Sequence, residues 1–81
     1  LSRAHFSLVF HKAAGMTFTR FVQSCRVAAA RRLLESTDRD ITGICFGCGF
    51  NSLTHFNRVF RQFERCSPRG YRTRMRPPAY R

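Results

Sequence analysis

"ICFGCGFNSLTHFNRVF", residues 44–60, admits two incompatible folds. Cys45 and Cys48 have the C-x-x-C spacing of a zinc or redox pair, and His55 follows them. The same letters also read as two short helices meeting at Gly49. The rest of the chain has to decide.

A structural zinc takes four ligands, usually as two Cys or Cys/His pairs with a suitable gap. Here one pair stands alone; Cys25, Cys66, His5, His11 and His55 are not paired at ligand spacing. A thioredoxin-like pair sits at a helix start after a strand, whereas this pair ends a short helical pattern. Its i, i+3 spacing sets both thiols beside Ile41 and Ile44 on an apolar face, where a thiol acts as a small hydrophobe. The expectation is therefore buried cysteines, no metal and no cofactor. His55 reads as a surface or boundary residue.

The composition points toward a polyanion. Fifteen Lys+Arg against four Asp+Glu give the 81-residue chain a net charge of +11. All but Lys12 of those cations are Arg, whose flat fork suits phosphates and guanine edges. Nucleic acid is the default partner for such a field. Nine Phe and 43% hydrophobic residues argue for a packed domain rather than a disordered basic arm. No apolar run of about 20 residues offers a membrane span, so no membrane partner is expected. Four acids without a carboxylate pair or a Ser/His/Asp arrangement argue against an enzyme. Leu1 in place of Met reads as a cut end, and the low Cys density suits a reducing cytoplasm.

Helical periodicity runs throughout, so the fold class is all-α. A first helix is expected near residues 2–13, with Ser2 as cap, Phe6, Val9, Phe10 and Ala13 on one face, and Gly15 as stop. A long second helix is expected near 17–36, with Phe18, Phe21, Val22, Cys25, Ala29, Leu33 and Leu34 as its stripe. Arg20, Arg31 and Arg32 fall off that stripe, toward solvent or phosphate. A short helix near 41–48 follows Asp40, weakened by Gly43 and Gly47 at roughly 1 kcal/mol each. The next, near 52–63, buries Phe56, Val59, Phe60 and Phe63 and shows Leu53, Thr54, Asn57, Arg58 and Arg61 on its other side. A last turn opens at Ser67 and Pro68, and the basic segment after Tyr71 is expected to be unpacked.

Two short helices with a tight Gly turn amid Arg describe a helix-turn-helix, although an ordinary helical hairpin shares that pattern. The fuller string "DITGICFGCGFNSLTHFNRVFRQFERCSPRGYR" resembles the second helix-turn-helix of AraC/XylS-type bacterial transcription regulators. "LSRAHFSLVFHKAAGMTFTRFVQSCRVAAARRLL" resembles the stretch before it. The resemblance implies a homeodomain-like helix-turn-helix fold. Residues 1–15 would carry the recognition helix of an incomplete first unit, 16–38 a linker helix, 39–72 a complete second unit with its closing helix, and 73–81 a basic flexible tail.

The implied function is sequence-specific binding of double-stranded DNA for transcription regulation in a bacterial cytoplasm. The second reader would use Ser52, Leu53, Thr54, Asn57 and Arg58, and the first would use Arg3, Ala4, Ser7 and Leu8. Arg61, Lys12 and the tail would meet phosphates. RNA polymerase would be a partner of the full-length regulator, and the effector domain is not in this chain.

Departures from the family pattern include the absence of two helices before the first reader, Leu8 at a position often cationic, and Cys45 where a small residue such as Ala is usual. Arg65 stands where Gly is frequent, costing about 1 kcal/mol if that place needs positive φ. Alternative readings are a non-functional or weakly binding remnant of such a regulator, a Cys-based zinc or redox sensor, and a cationic amphipathic membrane binder.

Overall fold

The computed structural model describes residues 15–76, all of whose regular structure is helical. The helix expected near 2–13 lies outside them. Four helices follow in order: α1 (Phe18–Ser36), α2 (Ile41–Gly47), α3 (Leu53–Glu64) and α4 (Pro68–Met75).

Each start is set by a short polar side chain that accepts from an otherwise orphaned backbone N–H. Thr17 accepts from Arg20 N, Asp40 from Gly43 N, Ser52 from His55 N and Ser67 from Gly70 N, all at 2.9–3.0 Å. Pro68 follows Ser67 at a first-turn position, where its missing N–H removes no helix bond.

The turn between α2 and α3 resolves what Cys45 and Cys48 do. Cys48 is the C-cap and Gly49 adopts φ +97. Gly49 N donates to Phe46 O and Phe50 N to Cys45 O, both at 3.1 Å, which is the paired bonding of a Schellman closure. Phe50 is thereby folded under the turn at 2% exposure, and Cys45 is fully buried beside it. The Cys45 thiol donates to Ser52 O at 3.5 Å, tying the end of α2 to the start of α3. Gly49 suits this turn first by its φ and second by leaving room for Arg26. A side chain would be strained at that φ, and its Cβ would stand 3.0 Å from the Arg26 Nε atom that crosses the turn.

Burial raises the Cys45 thiol above its ordinary 9.0, and neighbouring Cys48 adds to the rise. Cys48 is also raised by burial, with Arg32 and Arg39 pulling back. Protonated thiols are poor nucleophiles and poor ligands. Among the described residues, no three His, Cys, Asp or Glu side chains converge as a metal site.

The core gathers Val27, Ala30 and Leu34 of α1, Ile44 and Cys45 of α2, Phe50, Phe56, Val59 and Phe60 of α3 and its turn, and Tyr71 of α4. Aromatic edges meet in a chain: Phe50 on Phe56 at 4.9 Å, Phe56 on Phe60 at 5.8 Å, and Phe60 on Tyr71 at 5.6 Å. Each helix buries one side against this file, which fixes the outward direction of α3.

Several expectations are corrected. The buried row of α1 is Val27, Ala30 and Leu34; of the expected stripe only Leu34 is buried, Phe18, Val22, Ala29 and Leu33 are half-buried, and Phe21 and Cys25 are exposed. Arg20 and Arg31 do not point freely to solvent or phosphate. Arg20 donates to Gln62 Oε1 at 3.0 Å and lies 3.9 Å over the half-buried Phe63 ring. Arg31 pairs with Glu64 at 3.1 Å. The segment after Tyr71 is helical to Met75. Its Arg72 lies across the C-terminal end of α1, donating to Leu34 O at 3.1 Å, Thr37 O at 3.0 Å and Arg39 O at 2.6 Å. Leu34 O and Thr37 O lie at the end of α1, where carbonyls lack helical donors, so a guanidinium there satisfies and neutralises the negative end of that helix, while Arg39 O belongs to the link into α2. Arg76 adds bonds to Thr37 O and to Asp38.

Tyr71 donates its hydroxyl to Glu35. Burial, then the hydrogen bond and charge of Glu35, push its phenol from 10.0 to about 12. The folded protein holds this proton more tightly than the unfolded chain. Its stabilisation is therefore complete below pH 10 and is lost as pH rises toward about 12. Tyr71→Phe should be less stable than the parent by roughly 1 kcal/mol below pH 10. Urea unfolding on either side of that pH should show the gap closing in alkali. Cys45 and Cys48 titrate in both proteins, so they leave the difference untouched. A gap that stays constant with pH would show that folding does not raise the Tyr71 phenol.

Candidate nucleic-acid interface

With Phe56, Val59 and Phe60 inward, helical geometry sends residues 53, 54, 57, 58 and 61 outward over an arc of about 140°. Thr54, Asn57, Arg58 and Arg61 are exposed, and Leu53 is exposed at 37%. Four of the five lie in the first two turns, the end of a helix-turn-helix reader that meets base edges. Arg61 stands one turn further on.

Ser52 is also exposed, but its hydroxyl oxygen already accepts from His55 N. It retains one proton to donate. His55 lies against Phe50 at 5.8 Å, edge to face, and is half-buried. At the far end α3 closes on Arg65, which adopts φ 65 without being glycine. The expected left-handed position is therefore present, at a cost of about 1 kcal/mol.

The electrostatics follow from where the acids go. Asp40 caps α2, Asp38 pairs with Arg76, Glu64 with Arg31, and Glu35 accepts from Tyr71. These are all four acids of the chain; Glu64, one turn past Arg61 at the end of α3, is the acid nearest the outward row, and its charge is taken up by Arg31. The Arg58 and Arg61 side chains make no hydrogen bond or ion pair with another described residue. The row thus presents an apolar contact, a hydroxyl, an amide and two unpaired guanidinium groups in series.

Of the other candidates, Arg3, Ala4, Ser7, Leu8 and Lys12 lie outside the described residues. Sequence reasoning overlooked Thr42 and Arg69, which border the row from α2 and α4. Among the described residues, no helix is long and apolar enough to cross a membrane.

The family described as "Helix-turn-helix domain" matches residues 1–74. The regulatory protein PocR of Salmonella typhimurium is 38% identical over 72 residues, covering 89% of this chain and 24% of PocR. The DNA-binding domain of AdpA, solved in complex with a target DNA, superposes with a TM-score of 0.85 at 30% identity. That match covers 98% of this chain and 74% of the AdpA domain. An AraC-type regulator from Chromobacterium violaceum gives a TM-score of 0.84 at 29% identity, over 98% of this chain and 70% of that one. This chain spans about a quarter of the length of the curated relatives it matches. Caps, turn, aromatic file and these likenesses agree: the chain belongs to the AraC/XylS-type family of helix-turn-helix transcription regulators.

Proposed function

We propose that the chain binds double-stranded DNA in a sequence-specific manner, with α3 lying in the major groove. The observation that carries this reading is the outward row Leu53, Thr54, Asn57, Arg58 and Arg61, exposed, with Glu64 at the end of the helix already paired to Arg31. Asn57 has the paired donor and acceptor that fit adenine, and Arg58 the fork that fits guanine O6 and N7. Leu53 and the Thr54 methyl suit thymine methyl groups, Ser52 has a spare donor, and Arg61 reaches a phosphate.

Arg3, Ala4, Ser7 and Leu8 would form a first reader, with Lys12 on the backbone. The 19-residue α1 spans roughly 28 Å, close to the 34–36 Å repeat that separates successive groove segments on one face of the duplex. In the full-length regulator, a separate domain would bind the effector, and RNA polymerase would be the partner in transcription. The working compartment would be the bacterial cytoplasm.

The test uses a duplex enriched by this chain from a random-sequence pool, set against a scrambled duplex of the same composition. The enriched duplex should bind roughly a thousandfold more tightly. Its affinity should fall by about a thousandfold between roughly 50 and 200 mM salt. Fluorescence anisotropy titrations measure both. Equal affinity for the two duplexes would sink the reading, leaving only a cationic surface.

A further inference from the structure

Beside the row of α3 the surface opens into a cleft of about 330 Å³, lined by Ile41, Thr42, Leu53, Asn57, Ser67 and Arg69. Three elements build it: the start of α2, the first turns of α3 and the start of α4. Leu53 and Asn57 belong to both the cleft and the outward row, so the two surfaces are continuous.

The cleft has the wrong chemistry for a purely structural feature. No carboxylate lines it: Asp40, which precedes Ile41, accepts from Gly43 N, and the other three acids are engaged elsewhere. Arg69 is exposed and makes no hydrogen bond or ion pair with another described residue. It also stands in the first turn of α4, where the helix dipole disfavours a cation. Arg72, at the other end of the same short helix, caps carbonyls and is explained by the fold. Arg69 has no such partner among the described residues, and it is the one arginine lining the cleft.

We propose that this cleft seats a backbone phosphate and its sugar, from the same duplex whose bases meet α3. The assignment rests on the DNA-binding reading above. The Arg69 guanidinium donates to the phosphate oxygens, and the Thr42 hydroxyl donates to the same group or its neighbour. Ile41 and Leu53 offer apolar walls to the sugar. Because the seat adjoins Leu53 and Asn57, a phosphate held there sets the depth and register at which α3 enters the groove. Arg69 and Thr42 are positioning residues in this scheme, and carry no sequence preference themselves.

The 81-residue chain carrying Arg69→Gln, Thr42→Val or Arg32→Gln tests the assignment against the enriched and scrambled duplexes over a range of salt. Arg32 is exposed and does not line the cleft, so its variant removes an equal charge as a control. Arg69→Gln should weaken both duplexes about tenfold and alike. Its dependence of log affinity on log salt should become shallower by about one. Thr42→Val should weaken both duplexes by a smaller uniform factor, and Arg32→Gln should leave the salt slope near the parent value. Without DNA, Arg69→Gln should melt no lower than the parent, since it relieves a cation at a helix start.

If Arg69→Gln behaves like Arg32→Gln while the parent still prefers its enriched duplex, the cleft assignment is wrong and the DNA-binding reading stands. If the parent shows no preference, that reading falls and the cleft falls with it.

Discussion

Phe60→Ala should cost about 3–5 kcal/mol and leave much of the chain unfolded. Phe60 is fully buried and touches Phe56 on one side and Tyr71 on the other, so it joins α3 to α4. Truncation removes both aromatic edges and opens a cavity that its neighbours, fixed to three helices, cannot fill. An 81-residue chain has about 4–12 kcal/mol of stability to lose. Phe60→Leu should retain most of the fold, because it keeps most of the volume. Phe46→Ala is the control: Phe46 is the same residue type, but 52% exposed on α2, and should change stability by less than about 0.5 kcal/mol. Urea unfolding followed by far-UV circular dichroism measures all three. Equal effects at Phe46 and Phe60 would contradict the packing described here.

That contrast between two phenylalanines shows how much of the fold the sequence could disclose. Helix starts were legible because capping is local: Thr17, Asp40, Ser52 and Ser67 each act on an N–H three residues away, although at α3 the sequence alone offers Asn51 as well as Ser52. The turn at Gly49 was legible for the same reason. The inward face of α1 was not. Residues 27–30, Val-Ala-Ala-Ala, are apolar all round, so periodicity cannot select Val27 and Ala30 over Ala29. Only contact with the other helices does.

Long-range cationic contacts were hidden in the same way. Arg72 finds its carbonyl at Leu34, 38 residues away, and Arg31 its carboxylate 33 residues away. No spacing rule reaches that far, so residues after Tyr71 looked like loose basic tail and Arg31 like a surface charge. The outward row of α3 was readable because it is the complement of its own buried side. The cleft with Arg69 and Thr42 was not, since three separate segments must meet to form it.

Asn57→Ala and Arg58→Ala should each erase preference at one base pair while leaving the rest of the site intact. A bidentate pairing to a base edge contributes about 1–3 kcal/mol of discrimination, so each change should narrow the ratio of enriched to scrambled affinity by about five- to 150-fold. The lost preference should map to different positions: an adenine for Asn57 and a guanine for Arg58. Neither side chain supports the fold; both are exposed and outside the buried row of Phe56, Val59 and Phe60, so circular dichroism should match the parent. Arg61→Ala should differ in kind. It should weaken both duplexes alike and make the salt dependence shallower by about one, because a phosphate contact carries charge but no sequence. Competition against every single-base variant of the enriched duplex separates these behaviours. Should Arg58→Ala instead weaken all variants equally and lower the salt slope, Arg58 is a phosphate clamp and the guanine reader lies elsewhere on the row. Should Asn57→Ala and Arg58→Ala both leave every position's preference unchanged, α3 is not the helix that reads the bases.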